Sequence, residues 1–266
     1  NRHSRHSYCF RYKDISKNDK QLVMKINIDQ KKVKIISEIH PQHFGSMSEI
    51  KRMIMQCKIA GSDYVKVQLY DSEKLFKNKD RMYLEINKKE FEEIKTFSDY
   101  LGIEIFASIF DSERLQWCED LSIKLYKIAS RTVEENVSLC EKIISTNKLV
   151  IISLGMYDYK NKGVPFSNSN VKYLYCVSKY PTSLADINMP DFENSFFSGF
   201  SDHTIGIAAS LYAVSRGAEF IEKHYSNNKS MNVKTQLGHT GSMNFDDLQK
   251  IRELADNFTL LKANKG

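Results

Sequence analysis

Short runs of β-branched and aromatic residues alternate with longer segments of helical period from residue 33 onward. Eight such runs occur, at residues 33–39, 64–69, 104–109, 125–129, 149–154, 171–177, 196–200 and 220–224. Strands that alternate with amphipathic helices are typical of βα units around a parallel sheet. Eight units in about 230 residues predict an α/β protein with a (β/α)8 TIM barrel.

The segments between these runs carry apolar residues at helical spacing. Residues 46–60 show such a stripe and end before Gly61, a residue type that commonly terminates helices. Further helices are predicted at residues 88–101, 112–121, 133–145, 206–216 and 245–261. Proline and Asn/Ser clusters interrupt the connections after strands 5 and 6, so helices 5 and 6 should be shortened or absent.

The amino-terminal part of the chain lies outside this alternation. Residues 1–20 are expected to form a flexible extension. Residues 22–28 alternate in polarity before a polar turn, which predicts an N-terminal β-hairpin that leads into the first barrel strand. Residues 21–266 are predicted to be one TIM barrel domain, because no linker or internal repeat divides them.

The composition is that of an ordinary globular chain, with 266 residues, 41% hydrophobic and 27% charged. The net charge of +6 is spread along the chain, so we expect no nucleic-acid partner. Five cysteines without CxxC spacing indicate reduced core thiols. No apolar run is long enough for a membrane span and no secretory signal is apparent, so we expect no membrane association and a cytoplasmic location.

Polar residues follow or end every predicted strand, and in a TIM barrel these carboxyl ends form the active-site mouth. The candidate residues are Glu38, His43, Lys66, Gln68, Ser108, Lys127, Ser130, Ser153, Ser178, Tyr180, Ser201, His203 and His224. A single serine at a strand end is usually a turn or cap residue. Two lysines inside a barrel are costly unless an anion meets them, so the set predicts a phosphate or carboxylate ligand.

Two of these residues, His203 and His224, end neighbouring strands at the seam where the barrel closes. Two imidazoles there can bind one divalent metal ion and leave positions open for water and substrate. A pair of hydrogen-bonded core histidines is the alternative, and spacing alone does not separate the two interpretations. The basic stretch at residues 74–81 is expected to be a solvated loop on the same face.

The order and spacing of eight segments resemble the sialic acid (N-acetylneuraminate) synthase family. The segments are SEIHPQHFGS, YVKVQL, FASIFD, YKIASR, IISLGM, CVSKYPT, GFSDHTIGIAAS and GAEFIEKHY. The most specific among them are GFSDHTIGIA followed by IEKHY, and then CVSKYPT. The similarity extends over about residues 33–261, which is the barrel domain of the family without its C-terminal antifreeze-like domain.

The resemblance implies a transferase that condenses phosphoenolpyruvate with the open-chain aldehyde of an N-acylated hexosamine, such as N-acetylmannosamine. The products would be phosphate and a sialic-acid-like 2-keto-3-deoxy acid, or nonulosonic acid, used in polysaccharide biosynthesis. A divalent metal ion is also implied, with Mn²⁺ as the first expectation and Mg²⁺ as the alternative. The resemblance further suggests a homodimer.

Residue roles follow from the same resemblance. Catalytic roles are implied for Glu38, Lys66, Lys127, His203 and His224, with the two histidines as metal ligands. Phosphoenolpyruvate binding is implied for Lys66, Ser108, Lys127, Ser130, Ser153, Ser178 and Ser201. Sugar contacts are expected from Gln68, Tyr180 and His43.

The chain departs from the family pattern at several positions. Residues 226–243 contain no acidic residue where the family has a PGPD-like stretch, so either Gln236 or His239 replaces its acid or the segment is a plain loop. Thr132 replaces an acid, Leu154 a hydroxyl and Ser178 an asparagine. Two alternatives therefore stay open, namely a catalytically weak or inactive barrel that serves as an interaction or regulatory module and the same chemistry on a different sugar aldehyde.

Overall fold

The computed structural model describes residues 32–229 and 240–263, in which eight parallel strands form a closed barrel. The strands are β1 (Lys34–Glu38), β2 (Tyr64–Leu69), β3 (Glu104–Ile109), β4 (Leu125–Ile128), β5 (Leu149–Ser153), β6 (Val171–Cys176), β7 (Phe197–Asp202) and β8 (Phe220–His224). Each strand pairs with the next, and β8 pairs with β1. The predicted (β/α)8 TIM barrel is therefore confirmed.

Some predictions fall on parts of the chain that the structure does not describe. They are the N-terminal extension at residues 1–20, the β-hairpin at residues 22–28, and the proposed replacements Gln236 and His239. All of these lie outside the described residues.

Helices cover the outside of the barrel. They span Met47–Ala60, Ser72–Phe76, Lys88–Leu101, Ser112–Asp120, Ser130–Glu135, Val137–Ile144, Tyr159–Lys162, Ala208–Ser215 and Phe245–Ala263. Only a short helix follows β5 and only a 3-10 turn, Leu184–Asp186, follows β6, which confirms that helices 5 and 6 are shortened. None of the helices in the described ranges is long and apolar enough to cross a membrane.

The predicted helix at residues 133–145 is two helices instead of one. Asn136 adopts a non-helical backbone with φ of −150° and ψ of 70°, which ends Ser130–Glu135. Its side chain accepts a hydrogen bond from the backbone N–H of Leu139 and thereby caps Val137–Ile144. A residue with a short polar side chain at a helix start favours this arrangement over one continuous helix.

Side chains alternate along each strand between the inside of the barrel and the helix layer. Inward apolar residues fill the middle of the barrel, and the structure buries Ile36, Leu125, Phe106, Ile151, Leu174 and Phe220. Two residues further along the same strands, the inward positions are Glu38, Lys127, Ser108, Ser153, Cys176 and Glu222. The apolar layer thus lies beneath a polar layer, which lines the mouth at the carboxyl-terminal end.

Arg252 attaches the last helix to the opposite, amino-terminal end of the barrel. Its Nη1 donates to the carbonyl oxygen of Val33 at 2.8 Å and lies 3.1 Å from Oδ2 of Asp63. The same carboxylate oxygen accepts the backbone N–H of Ile35 at 2.8 Å. This ion pair holds the barrel together far from the polar mouth.

Gly199 lies in β7 where the neighbouring strand leaves no room for a side chain. A Cβ at this position would lie 2.2 Å from the carbonyl oxygen of Phe220. Because neither atom can rotate away, we predict that Gly199→Ala lowers the free energy of unfolding by roughly 2 to 3 kcal/mol. Urea denaturation measures this loss.

The matched control is Gly102→Ala. No atom lies within 4 Å of a Cβ built at Gly102, so only its φ of +65° opposes the substitution. We expect a smaller loss, of about 1 kcal/mol. Equal losses in the two variants would show that the strand contact at Gly199 is not tight.

Candidate active site

A cavity of about 350 Å³ opens at the carboxyl-terminal mouth of the barrel. The predicted site residues in its wall are Glu38, Lys66, Gln68, Ser108, Lys127, Ser130, Ser153, Ser178, Tyr180, Ser201, His203 and His224. Every predicted site residue except His43 therefore lines one cavity.

The strand register brings residues from distant parts of the sequence to the same level. Glu38 in β1 lies opposite Lys66 in β2 on one side and opposite His224 in β8 on the other. Ser108 in β3 lies opposite Lys127 in β4. These neighbours all belong to the polar layer, because parallel strands in register present equivalent positions at equal height.

Four charged side chains form a buried cluster in this layer, and we call them the charge cluster: Glu38, Lys66, Lys127 and Glu222. Nζ of Lys66 lies 2.7 Å from Oε2 of Glu38 and 3.1 Å from Oε2 of Glu222. Nζ of Lys127 lies 3.3 Å from Oε1 of Glu222. None of the four exposes more than 6% of its side chain. Glu222 therefore joins the two lysines.

The pKa shifts in the charge cluster follow from burial and from these neighbours. Burial opposes the ionisation of Glu222, but Lys127 and Lys66 lower its pKa to about 2. Burial raises the pKa of Glu38, and Lys66 offsets this only in part. Burial opposes the charged form of Lys66, yet Glu222 and Glu38 raise its pKa, whereas burial lowers the pKa of Lys127. Glu222 and Lys66 are thus the most firmly charged members.

Serine hydroxyls extend the charge cluster toward the cavity. Nζ of Lys66 donates to Oγ of Ser108 at 3.2 Å, and Nζ of Lys127 donates to Oγ of Ser153 at 2.7 Å. Ammonium and hydroxyl donors that converge on one volume suit the oxygen atoms of a phosphate or a carboxylate. The predicted anion site therefore has the required donors.

His203 and His224 face each other on one side of the cavity, with ring centroids 5.9 Å apart. Nδ1 of His203 lies 3.2 Å from the carbonyl oxygen of Val177, and Nδ1 of His224 lies 3.4 Å from Oε1 of Gln42. An N–H at each Nδ1 donates to its oxygen, so we assign the tautomer with Nε2 as the metal-binding atom. Burial lowers the pKa of His203 to about 4, which keeps this imidazole neutral at physiological pH.

The histidine pair fits a divalent metal ion as a partial ligand set. In residues 32–229 and 240–263, no group of three or more His, Cys, Asp or Glu side chains is arranged to hold a metal ion. Neutral imidazoles oriented by carbonyl oxygens are nevertheless suitable donors, and a catalytic metal needs positions that water or substrate can occupy.

His43 lies behind the cavity wall, contrary to its predicted sugar contact. Its Nδ1 accepts the backbone N–H of Gly45 at 3.0 Å, which places its proton on Nε2, 2.9 Å from Nδ1 of His40. Nε2 of His40 lies in turn 3.0 Å from Oη of Tyr70. His43 therefore supports His40, which itself lines the cavity.

Two of the departures from the family pattern lie outside the cavity wall. Thr132 and Leu154 are buried and do not line it. Ser178 does line the cavity, beside Gly155, where a Cβ would lie only 2.4 Å from the Ser178 hydroxyl oxygen. Thr132 and Leu154 thus leave the cavity wall unchanged, and Gly155 makes room for the Ser178 side chain.

Glu222 is the most important residue to which the sequence analysis assigned no role. In addition to the two lysines, it accepts a hydrogen bond from Oγ of Ser201 at 2.8 Å. Alternation along β8 already indicates its position, because it precedes His224 by two residues and so shares the inward face. Cys176 was missed as well, and its Sγ lies 3.8 Å from Nδ1 of His203.

The outer lip of the cavity was also not predicted. Its residues come from loops and from the short helices Ser72–Phe76 and Ser130–Glu135, and they are Leu75, Phe76, Arg81, Phe110, Arg131, Glu135 and Met156. The stretch at residues 74–81, predicted to be a solvated loop, is only partly solvated in the structure. Lys74, Lys77 and Lys79 are exposed, whereas Arg81 lines the cavity with its guanidinium 4.6 Å from the centre of the Phe76 ring.

These features define the class of the protein as a TIM barrel with a buried charge cluster and a histidine pair at its carboxyl-terminal mouth. The model of the NeuB family matches residues 53–265, and the chain belongs to this family. The family expected from the sequence motifs is therefore confirmed.

Individual relatives agree with the family assignment. The chain is 30% identical to an uncharacterised protein of Methanocaldococcus jannaschii, over 87% of this chain and 72% of that protein. It is 30% identical to the pseudaminic acid synthase of Helicobacter pylori, over 74% of this chain and 67% of that synthase. The crystal structure of the N-acetylneuraminic acid (sialic acid) synthetase from Leptospira borgpetersenii in complex with citrate matches with a TM-score of 0.75 and 28% identity, over 87% of this chain and 85% of that one.

The first prediction from the site concerns Glu222→Gln. This change removes the negative charge that Lys66 and Lys127 share, so we expect a lower melting temperature. Inorganic phosphate should raise the melting temperature of the variant more than that of the wild type, because the anion supplies the missing counter-charge. Thermal unfolding with and without phosphate measures both effects.

Glu135→Gln is the matched control for this experiment. Glu135 also lines the cavity, but its partner Arg131 lies at the lip, where the side chains are one-third and one-half exposed. We expect little change in its melting temperature or phosphate response. Identical behaviour of the two variants would contradict the role assigned to Glu222.

The second prediction concerns the pH dependence of stability. An unfolded histidine takes up a proton near pH 6.5, but burial lowers the pKa of folded His43 to about 4. The stability that neutral His43 contributes is therefore complete above pH 6.5 and is lost as the pH falls toward 4. Between pH 7 and 4 the wild type should lose about 3 kcal/mol more than His43→Gln in urea denaturation. Parallel pH profiles would contradict the buried neutral state.

Proposed function

We propose that the chain condenses phosphoenolpyruvate with the open-chain aldehyde of an N-acylated hexosamine, N-acetylmannosamine or a relative. The products are phosphate and a sialic-acid-like 2-keto-3-deoxy acid. The observation that carries the proposal is the pair of buried lysines, Lys66 and Lys127, in a serine-lined cavity of a NeuB-family barrel. The pseudaminic acid synthase among its relatives supports the same reaction class.

Phosphoenolpyruvate carries a phosphate and a carboxylate, so it needs two groups of donors. Lys66 with Ser108 and Lys127 with Ser153 supply two neighbouring ammonium–hydroxyl pairs. The remaining proposed contacts are Ser130, Ser178 and Ser201. The lysines act as fixed positive charges, and no Schiff base is required. The Leptospira synthetase, whose structure contains citrate, also binds a compact polyanion.

The reaction forms one carbon–carbon bond and, from water, one carbon–oxygen bond at C2, and it breaks the C2–O bond to phosphate. C3 of phosphoenolpyruvate attacks the aldehyde carbon, whose oxygen takes up a proton and becomes a hydroxyl, and water then adds at C2 and gives up a proton. Glu38, 2.7 Å from Lys66, is positioned to accept the proton of that water. Cleavage of the C2–O bond releases phosphate, whose negative charge Lys66 and Lys127 stabilise as it develops.

The proposed metal ligands are His203 and His224, with Mn²⁺ as the first expectation and Mg²⁺ as the alternative. Such an ion supplies Lewis acidity toward a carbonyl oxygen when bound. Val177 and Gln42 orient the two imidazoles through their carbonyl oxygens. The ring of Tyr180 packs against His203 with a centroid distance of 4.3 Å.

Gln68 and Tyr180 are the proposed sugar contacts. Gln68 holds its amide near Glu38, with Nε2 3.4 Å from Oε2 of the carboxylate. Tyr180 is 40% exposed and lies in the cavity wall, so its ring is accessible to a ligand that enters from solvent. An aromatic ring and an amide at the open side suit a polyhydroxylated substrate with an N-acyl group.

A second candidate is the same chemistry on a phosphorylated hexosamine. Arg81 favours it, because this guanidinium lines the cavity and is held against the Phe76 ring at the lip. An arginine at this point suits a negatively charged group on the distal end of the sugar.

The test is phosphate release from phosphoenolpyruvate in the presence of Mn²⁺. The aldehyde panel contains N-acetylmannosamine, its 6-phosphate, di-N-acetylated hexosamines and simple aldoses. We expect phosphate release that requires one N-acylated hexosamine. His203→Ala should reduce this release at least 100-fold, because it removes a proposed metal ligand. Release with none of the sugars, together with no phosphoenolpyruvate binding, would contradict the proposal and favour a non-catalytic barrel.

A further inference from the structure

A buried ion pair lies beside the two strand ends that carry the histidines. Nζ of Lys223 is 3.1 Å from Oδ2 of Asp202, and the two side chains are 1% and 0% exposed. Asp202 directly precedes His203, and Lys223 directly precedes His224. The pairing of β7 with β8 places Asp202 opposite Lys223. The pair therefore joins the two strands one residue before each histidine.

This ion pair faces the helix layer and not the cavity. The cavity wall contains the histidines but neither Asp202 nor Lys223. Oδ2 of Asp202 accepts the hydroxyl of Ser210, in the helix Ala208–Ser215, at 2.6 Å. The pair is thus separated from any ligand by the strands themselves, so it acts on the histidines only through the backbone.

Both members of the pair also hold the residue that follows His203. Oδ1 of Asp202 accepts the backbone N–H and the hydroxyl of Thr204, each at 2.8 Å. Nζ of Lys223 donates to the carbonyl oxygen of Thr204 at 2.7 Å. His203 is therefore fixed between two residues that share one network of hydrogen bonds.

The segment after residue 240 packs against the same strand ends. A Cβ at Gly241 would lie 2.6 Å from the carbonyl oxygen of Thr204 and 2.8 Å from that of His203. The backbone N–H of Met243 donates to the carbonyl oxygen of His224 at 2.8 Å. Only a glycine fits this approach, and the contact limits movement of both histidines.

We propose that the Asp202–Lys223 ion pair is a positioning element that sets the relative placement of His203 and His224 for binding a divalent metal ion. This inference rests on the proposed function, in which these histidines hold the metal. A buried ion pair stabilises a fold no more than well-packed apolar residues of similar size, so stability alone does not account for its presence. Residues that orient metal ligands typically change metal affinity 10- to 100-fold when they are altered.

The test variant is the double substitution Asp202→Asn with Lys223→Met. It removes both charges together and so avoids an unpaired buried charge. The probe is Mn²⁺ alone, titrated into the full chain and followed by electron paramagnetic resonance, with the melting temperature recorded in parallel. We expect the Mn²⁺ dissociation constant to rise 10- to 100-fold.

The matched control removes the ion pair at the other end of the barrel, by Asp63→Asn with Arg252→Met. This variant should lose stability and keep the wild-type Mn²⁺ affinity.

Lys223→Arg retains the charge and should keep most of the affinity. Thr204→Val removes one link to Asp202 without leaving a charge, so it tests the inference even where the double variant does not fold, and its Mn²⁺ dissociation constant should rise several-fold.

The outcomes separate this inference from the proposed function. Wild-type Mn²⁺ affinity in both the double variant and Thr204→Val would overturn the inference and leave the proposed metal site intact. An equal loss in the Asp63/Arg252 control would also overturn it, because general destabilisation would then explain the effect. Absence of Mn²⁺ binding by the wild type would overturn both the metal site and the inference.

Discussion

The buried charge cluster is the interaction on which the rest of the site depends. Lys66 and Lys127 would be costly inside a barrel without partners, and Glu38 and Glu222 supply these at distances of 2.7 to 3.3 Å. The four residues come from β2, β4, β1 and β8, so all partners meet only when the barrel is closed. The charges of the cluster are therefore neutralised only when the sheet closes into the barrel.

This arrangement divides the mouth of the barrel into three regions. The charge cluster and its serines form a floor, the proposed anion site, and the histidine pair forms one wall. The lip contains aromatic and arginine side chains from the loops. Because the floor is balanced between two lysines and two carboxylates, an incoming anion must compete with Glu38 and Glu222 for the ammonium groups. The serine hydroxyls ease this exchange, since they hydrogen-bond to either a lysine or a phosphate oxygen.

The parts of the structure that sequence reasoning predicted are those governed by strand alternation and burial. Strands β2, β3 and β8 have the predicted bounds. The inward lysines, serines and histidines followed from the same period of two. The break at Asn136 depends on the backbone of one residue, which a periodic pattern does not reveal.

The remaining differences concern partners and loop paths. Alternation placed Glu222 on the inward face but did not show that two lysines from other strands meet it. His43 follows β1 closely in sequence, yet the turn through Gly45 directs its ring toward His40. Arg81 and Arg131 reach the cavity from connections whose course is set by tertiary packing. A single sequence therefore predicts the strand positions better than it predicts the residues at the lip of the cavity.

The proposed function depends on binding of phosphoenolpyruvate by the two lysines of the charge cluster. Calorimetric titration of phosphoenolpyruvate, without sugar, into the wild type, Lys127→Met and Lys148→Met tests it most directly. Lys148 is the control, because it pairs with Glu119 and does not line the cavity. We predict that Lys127→Met weakens binding at least tenfold, or about 1.4 kcal/mol, and that Lys148→Met leaves it unchanged. Equal affinity of Lys127→Met and the wild type would show that Lys127 does not bind phosphoenolpyruvate.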